Sequence, residues 1–143
     1  MARPTNTQFA LAVHVLTLLG SDLDERHSSE FLADSAGSSA VHVRRVLGGL
    51  RRAGLVRSRP GPNGGWQLAG PLEETTLADV WRAVNGDDPL LGLHSANPAC
   101  PVGRRIHKTL IDVDRRAAEA LVAELEQTTL RDLVVETTAP ATA

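Results

Sequence analysis

Between Ser28 and Leu68 the hydrophobic period of the sequence changes from that of a helix to that of a strand, and this narrows the possible folds more than any other feature. Ser28 or Ser29 can cap a short helix, Glu30–Ala36, with Phe31, Leu32 and Ala36 as its expected buried positions and Gly37 as its stop. Ser38 and Ser39 at once cap a second helix that runs to about Ala53 and is stopped by Gly54. Its residues Val43, Val46, Leu47 and Leu50 recur at i, i+3, i+4 and i+7 and form one buried face. Two short strands follow, Leu55–Arg59 and Trp66–Leu68, joined by the turn-forming run Pro60-Gly61-Pro62-Asn63-Gly64-Gly65. Helix, glycine turn, helix, hairpin is the order of a winged helix-turn-helix.

The rest of the chain fits around that unit. Thr5 or Asn6 can open a first helix whose apolar positions run from Phe9 to Leu19, with Gly20 as its expected end. After the hairpin, Thr75 or Thr76 caps Leu77–Val84, with Trp81 expected in the core. An irregular stretch, Asn85–Pro101, precedes a long helix over Val102–Gln127 carrying Ile106, Leu110, Val113, Ala117, Leu121 and Leu125. Their spacings of three and four are those of a coiled-coil seam, and such a helix outruns what a small core can cover, so a symmetry mate is its expected partner. A short helix, Leu130–Val135, comes last. The expected organisation is mainly α with a β-hairpin wing: residues 1–85 as the DNA-binding domain, 86–101 as an effector or linker loop, 102–136 as dimerisation helices and 137–143 as a disordered tail.

Charge points to the partner. The net charge of −2 hides an uneven distribution, because residues 1–72 hold eight arginines against five acids and residues 73–143 hold seven bases against twelve acids. Ser38–Leu72 contains Arg44, Arg45, Arg51, Arg52, Arg57 and Arg59 and no acid, the footprint expected for a polyanion such as double-stranded DNA. Ser39, Val41, His42 and Arg45 are placed to approach base edges. Arg44, Arg51, Arg57 and Arg59 are placed to neutralise phosphates, and Asn63, Gly64 and Gly65 would form the wing tip. Gly61–Gly65 is no nucleotide-binding loop, since no Lys-Ser/Thr follows and no helix starts there. Gly48 and Gly49 each cost a helix interior about 1 kcal/mol relative to alanine and mark either close packing or a bend. His14 reads as structural and His27 as exposed. No apolar run approaches the roughly 20 residues that span a bilayer, and Phe9–Leu19 lacks a signal-peptide cleavage site, so a cytoplasmic protein with no membrane partner is expected.

Several stretches together resemble the Rrf2 family of bacterial regulators: Leu-Arg-Arg-Ala-Gly-Leu-Val (50–56), Gly-Pro-Asn-Gly-Gly-Trp-Gln-Leu-Ala (61–69), Thr-Leu-Ala-Asp-Val (76–80) and Asn-Pro-Ala-Cys-Pro-Val-Gly (97–103). The resemblance covers about residues 5–135. It implies a homodimeric transcriptional repressor with the long helix at the interface, recognition helices in successive major grooves, and wings in the flanking minor grooves of a palindromic operator. Iron–sulfur members of the family carry three cysteines in the loop before the long helix. This loop has only Cys100, so the resemblance implies the cluster-free branch, with no cofactor.

Cys100 precedes Pro101 at the expected N-terminus of the long helix, where the helix dipole and the nearby Arg104 and Arg105 would favour a thiolate. Three roles stay open: a redox-sensing thiol, a small partly buried residue in a turn, and a metal ligand together with His94 or His107. A thiol enzyme is not expected, because no ordered base accompanies the cysteine. Control by a partner protein or a small ligand is the alternative to a thiol switch.

Overall fold

The computed structural model describes residues 7–138, so the expected first caps, Thr5 and Asn6, and residues 139–143 of the expected tail lie outside the described residues. Six helices and one hairpin follow in the order α1 (Thr7–Ser21), α2 (Ser29–Ala36), α3 (Ala40–Arg52), β1 (Val56–Arg59), β2 (Gly65–Leu68), α4 (Leu77–Asn85), α5 (Pro101–Leu125) and α6 (Leu130–Thr138).

Both turns around the recognition-type helix are set by glycine. Gly37 adopts φ 62°, its N–H donates to Asp34 O, and Ser38 N–H reaches back to Ala33 O. Gly54 does the same with φ 77°, Gly54 N–H donating to Arg51 O and Leu55 N–H to Leu50 O. Each pair of bonds satisfies carbonyls that a helix end leaves open, in a conformation that a Cβ disfavours. At the N-terminal ends, Ser28 Oγ accepts from Phe31 N–H and Ser39 Oγ accepts from His42 N–H. Thr76 and Asp79 form a reciprocal capping box at α4.

The core is built from one face of every helix except α5. Val15, Leu16 and Leu19 of α1, Leu32 of α2, Val43, Leu47 and Leu50 of α3, Val80 of α4 and Leu130 of α6 are all essentially inaccessible. At about 1.5–3 kcal/mol for each large apolar side chain removed from water, this stripe is the main source of stability. The hairpin closes one end, with Val56 and Leu68 paired across the ladder and both buried. Trp81 is half-buried and meets Phe9 edge to face at 5.4 Å.

Three expectations are corrected. Gly20 does not end α1; it lies buried inside the helix, where a Cβ would stand 2.7 Å from Leu72 Cδ2, so its role is close packing. Phe31 is 50% exposed and stacks on His27 with centroids 4.8 Å apart, while Ala33 takes the buried position. α6 reaches Thr138, so Thr137 and Thr138 are helical where a tail was expected, and its Leu130 joins the core against α1. Backbone bonds from Leu77 N–H to Thr128 O and from Leu130 N–H to Thr75 O, both 2.9 Å, tie the starts of α4 and α6 together. Close packing does not account for Gly48 and Gly49, since a Cβ at either would meet only ordinary contacts, 3.6 Å or longer.

α5 stands apart. None of its 25 residues is buried, and it touches the rest mainly through α4, with Arg82 paired to Glu126 at 2.8 Å.

Candidate nucleic-acid interface

The side of α3 opposite its buried stripe carries Val41, Arg44 and Arg45, and Val41 is 66% exposed. An apolar side chain held that far into solvent at the first turn of a helix is suited to meet a thymine methyl. Arg45, Arg57 and Arg59 are exposed, and their side chains make no hydrogen bond or ion pair with other described residues. They present charge without an internal partner. β1 places Arg57 and Arg59 two residues apart, hence on one face of the hairpin.

Other expected contacts are already engaged. Arg44 forms an ion pair with Glu30 of α2. The Glu30 carboxyl is held below the usual carboxylate range first by its own backbone N–H and then by Arg44. Arg51 donates from Nη1 to Ser58 Oγ at 3.2 Å, and its guanidinium carbon sits 5.7 Å from the centre of the Trp66 ring. Trp66 in turn donates from Nε1 to Ser29 Oγ at 3.2 Å and exchanges backbone bonds with His27 in both directions. Arg51 therefore belongs to a brace that fixes the wing against α2 and α3. His27 is half-buried within that brace, a correction to its expected exposure.

The wing glycines have an internal reason as well. A Cβ at Gly64 would stand 2.0 Å from Arg59 O, and one at Gly65 would stand 2.8 Å from His27 O in a backbone with φ 134°. Gly65 is the first residue of β2, opposite Arg59, so the exposed tip runs over 60–64 and includes Asn63. Ser39 spends its oxygen as the α3 cap and retains its hydroxyl hydrogen. His42 is half-buried and borders a cavity of about 290 Å³ between α1 and the α2–α3 turn, together with His14, which is exposed where a structural role was expected.

A family model described as an iron-dependent transcriptional regulator, Rrf2, matches residues 5–136. The chain belongs to the Rrf2 family. It is 35% identical over 130 residues to YwnA of Bacillus subtilis, named as an HTH-type transcriptional regulator, covering 90% of this chain and 96% of that one. A crystal structure of a transcriptional regulator from Lactobacillus plantarum matches with a TM-score of 0.76 at 27% identity, over 91% of this chain and 89% of the other. The structure of CymR, the global cysteine regulator of B. subtilis, shares the fold, with a TM-score of 0.66 at 23% identity over 95% and 98% of the two chains. These relatives are regulators of transcription and not enzymes, and the Rrf2 chain described here is accordingly a DNA-binding regulator.

The family description raises the question of iron. Cys100 is the single cysteine of this Rrf2 chain; it caps α5 and its Sγ accepts from Gly103 N–H at 3.4 Å. Among the described residues no three His, Cys, Asp or Glu side chains gather into a metal-binding group. One thiol per chain does not fit a cluster held by three cysteines of the loop. Cys100 is exposed in the single chain, and its capping bond gives it a structural role at the start of α5.

The seam expected on the long helix is uncovered: Ile106 is 45% exposed and Val113 36%, Ala117 is exposed, and Leu110, Leu121 and Leu125 are half-buried. No helix among the described residues is long and apolar enough to cross a membrane. The residues that sequence reasoning missed are those of the brace, Ser29, Ser58 and Trp66. The only signal for them was the Gly-Gly-Trp run itself, which was read as a turn followed by a strand.

Proposed function

We propose that this regulator acts in the cytoplasm as a homodimeric repressor, pairing through α5 and binding a two-fold symmetric operator. Val41 and Arg45, with Ser39 and His42 beside them, read base edges in the major groove. Arg57 and Arg59 neutralise phosphates beside a wing tip formed by Asn63 and Gly64, and Arg44 joins them when it leaves Glu30. The observation that carries this reading is the set of exposed, internally unpaired arginines Arg45, Arg57 and Arg59 flanking Val41. The two-fold operator follows from a two-fold protein.

The decisive experiment is a titration on the protein's own promoter DNA against random DNA at several salt concentrations. Arg45→Ala is expected to cost about 1–3 kcal/mol on the operator and to relax base preference. Arg59→Ala is expected to weaken both DNAs alike and to reduce the log–log salt slope by about 0.9 per subunit, about 1.8 for the dimer. Equal losses on both DNAs for Arg45→Ala would remove its base-reading role.

Exposure of Cys100 supports a second layer, a thiol switch. Peroxide oxidises the thiol to a sulfenic acid and is itself reduced to water, and a second thiol then expels water to form a disulfide. Oxidised protein is expected to release the operator while Cys100→Ser holds it regardless of peroxide. Identical binding by reduced, oxidised and Cys100→Ser protein assigns control to a partner or a ligand instead.

A further inference from the structure

The junction between the loop of residues 86–100 and the start of α5 forms an open, solvent-facing cavity of about 470 Å³ that lies outside the DNA-reading surface. Leu93 and Ala96 supply apolar wall. His94 and Asn97 from the loop, and Arg104 and His107 from α5, supply polar groups. A narrower cleft that shares Leu93, His94 and His107 continues along the helix to Ile106 and Leu110. The space thus has a polar end and an apolar end.

The loop is held in place around it. Leu91 N–H donates to Asp114 Oδ1 at 2.6 Å, Arg104 Nη1 donates to Pro98 O, and Ala99 N–H donates to Asn97 Oδ1 at 2.9 Å. Gly103 lets the loop approach the helix, since a Cβ there would stand 2.8 Å from the Ala96 Cβ. These ties hold the loop against the helix, and a wall already held in place lowers the ordering cost of binding.

Its polar end is rich in donors. No acid lines the cavity, and the imidazoles of His94 and His107 make no hydrogen bond with other described residues. Arg104 commits one of its five N–H groups to Pro98, and an imidazole donates an N–H in either protonation state. Convergent donors without an acid call for an anionic acceptor, and planar carboxylate oxygens match a guanidinium fork. The apolar wall calls for a hydrocarbon body behind that group. We propose that this cavity binds a small organic monocarboxylate, its oxygens on His94, His107 and Arg104 and its hydrocarbon body over Leu93 and Ala96 toward Ile106. A bare inorganic anion satisfies the donors but leaves the apolar wall wet, so it is the weaker fit.

The test is calorimetric titration of DNA-free protein with 4-methylpentanoate, with 4-methylpentan-1-ol and inorganic phosphate as comparison probes. The carboxylate is expected to bind saturably, and neither comparison probe is expected to do so. His94→Ala combined with His107→Ala is expected to weaken carboxylate binding about tenfold or more, as loss of charge-assisted hydrogen bonds does. These side chains are exposed, so Tm is expected to stay unchanged. Arg104→Lys keeps the charge but loses the planar fork, and it too is expected to bind less tightly. Absence of saturable carboxylate binding, equal binding of phosphate, or undiminished binding by the double variant would overturn the proposal. Because no DNA is present, each of these results is independent of the operator titration.

Discussion

α3 and α5 carry the same kind of apolar stripe and meet opposite fates. Val43, Val46, Leu47 and Leu50 of α3 are 0–5% exposed, whereas Ile106 and Val113 of α5, at equivalent three-and-four spacing, are 45% and 36% exposed. The periodicity of a stripe says that a face requires burial; it does not say which chain supplies the cover. In α3 the cover comes from α1, α2 and α4 of the same chain. For α5 the intramolecular cover comes from α4 and from the loop of residues 86–100, and the remaining apolar surface is what a second copy would remove from water.

The largest effect that probes this contrast is expected at Leu47. Leu47→Ala empties a fully enclosed site and should cost about 2–5 kcal/mol, read as a fall in Tm that does not depend on protein concentration. The matching change on α5, Ile106→Asp with Val113→Asp, should leave the head folded and shift the chain from dimer to monomer in sedimentation equilibrium. Tm of the unaltered protein should rise with concentration and that of the α5 variant should not. If the α5 variant sediments as the unaltered protein does, the stripe is not the dimer seam and the comparison fails.

The same contrast explains what was legible in the sequence. Both ends of α3, its buried face and the hairpin after it were readable because their causes are local: Ser39 caps three residues ahead, Gly54 turns the chain, and the strands sit on either side of one loop. The errors came from contacts between residues distant in sequence. Gly20 resembled a stop because nothing nearby announces Leu72, whose side chain fills the space a Cβ would take. Phe31 was expected inside because it is apolar, yet Leu32 and Ala33 already occupy the inner face of an eight-residue helix. Ser38–Leu72 is free of acids, but Glu30, which pairs with Arg44, lies outside that window. Whether an arginine is free for DNA is a tertiary fact.

A smaller effect separates bracing from phosphate contact within the arginine set. Arg51→Ala should weaken operator binding without the fall in salt slope of about 0.9 per subunit that marks a lost phosphate contact. Its energetic effect should be non-additive with Trp66→Phe by about 0.5–3 kcal/mol, because both changes dismantle the same brace. Simple additivity together with a reduced slope would return Arg51 to the phosphate-binding group and leave the wing held by β-pairing alone.

The smallest expected effect lies at Glu30, where the comparison between engaged and free arginines is sharpest. Its carboxyl is lowered from the ordinary 4.5 in the folded chain by its own backbone N–H and by Arg44, so the folded state binds a proton less readily than the unfolded state. The resulting stabilisation is fully present above the unfolded value and is lost as pH falls below about 4.5 and through the folded value. Both side chains are exposed, so the change in stability is small and screened by salt. Glu30→Gln should therefore flatten the acid side of the stability profile slightly and leave neutral stability nearly unchanged. On DNA its effect has the opposite sign, because Arg44 is released toward phosphate and an acid is removed beside the recognition helix. Operator and random DNA should both bind more tightly, with the salt slope steeper by about 0.9 per subunit. If the slope is unchanged, Arg44 points away from the DNA backbone even when free, and its pairing with Glu30 serves only to join α2 to α3.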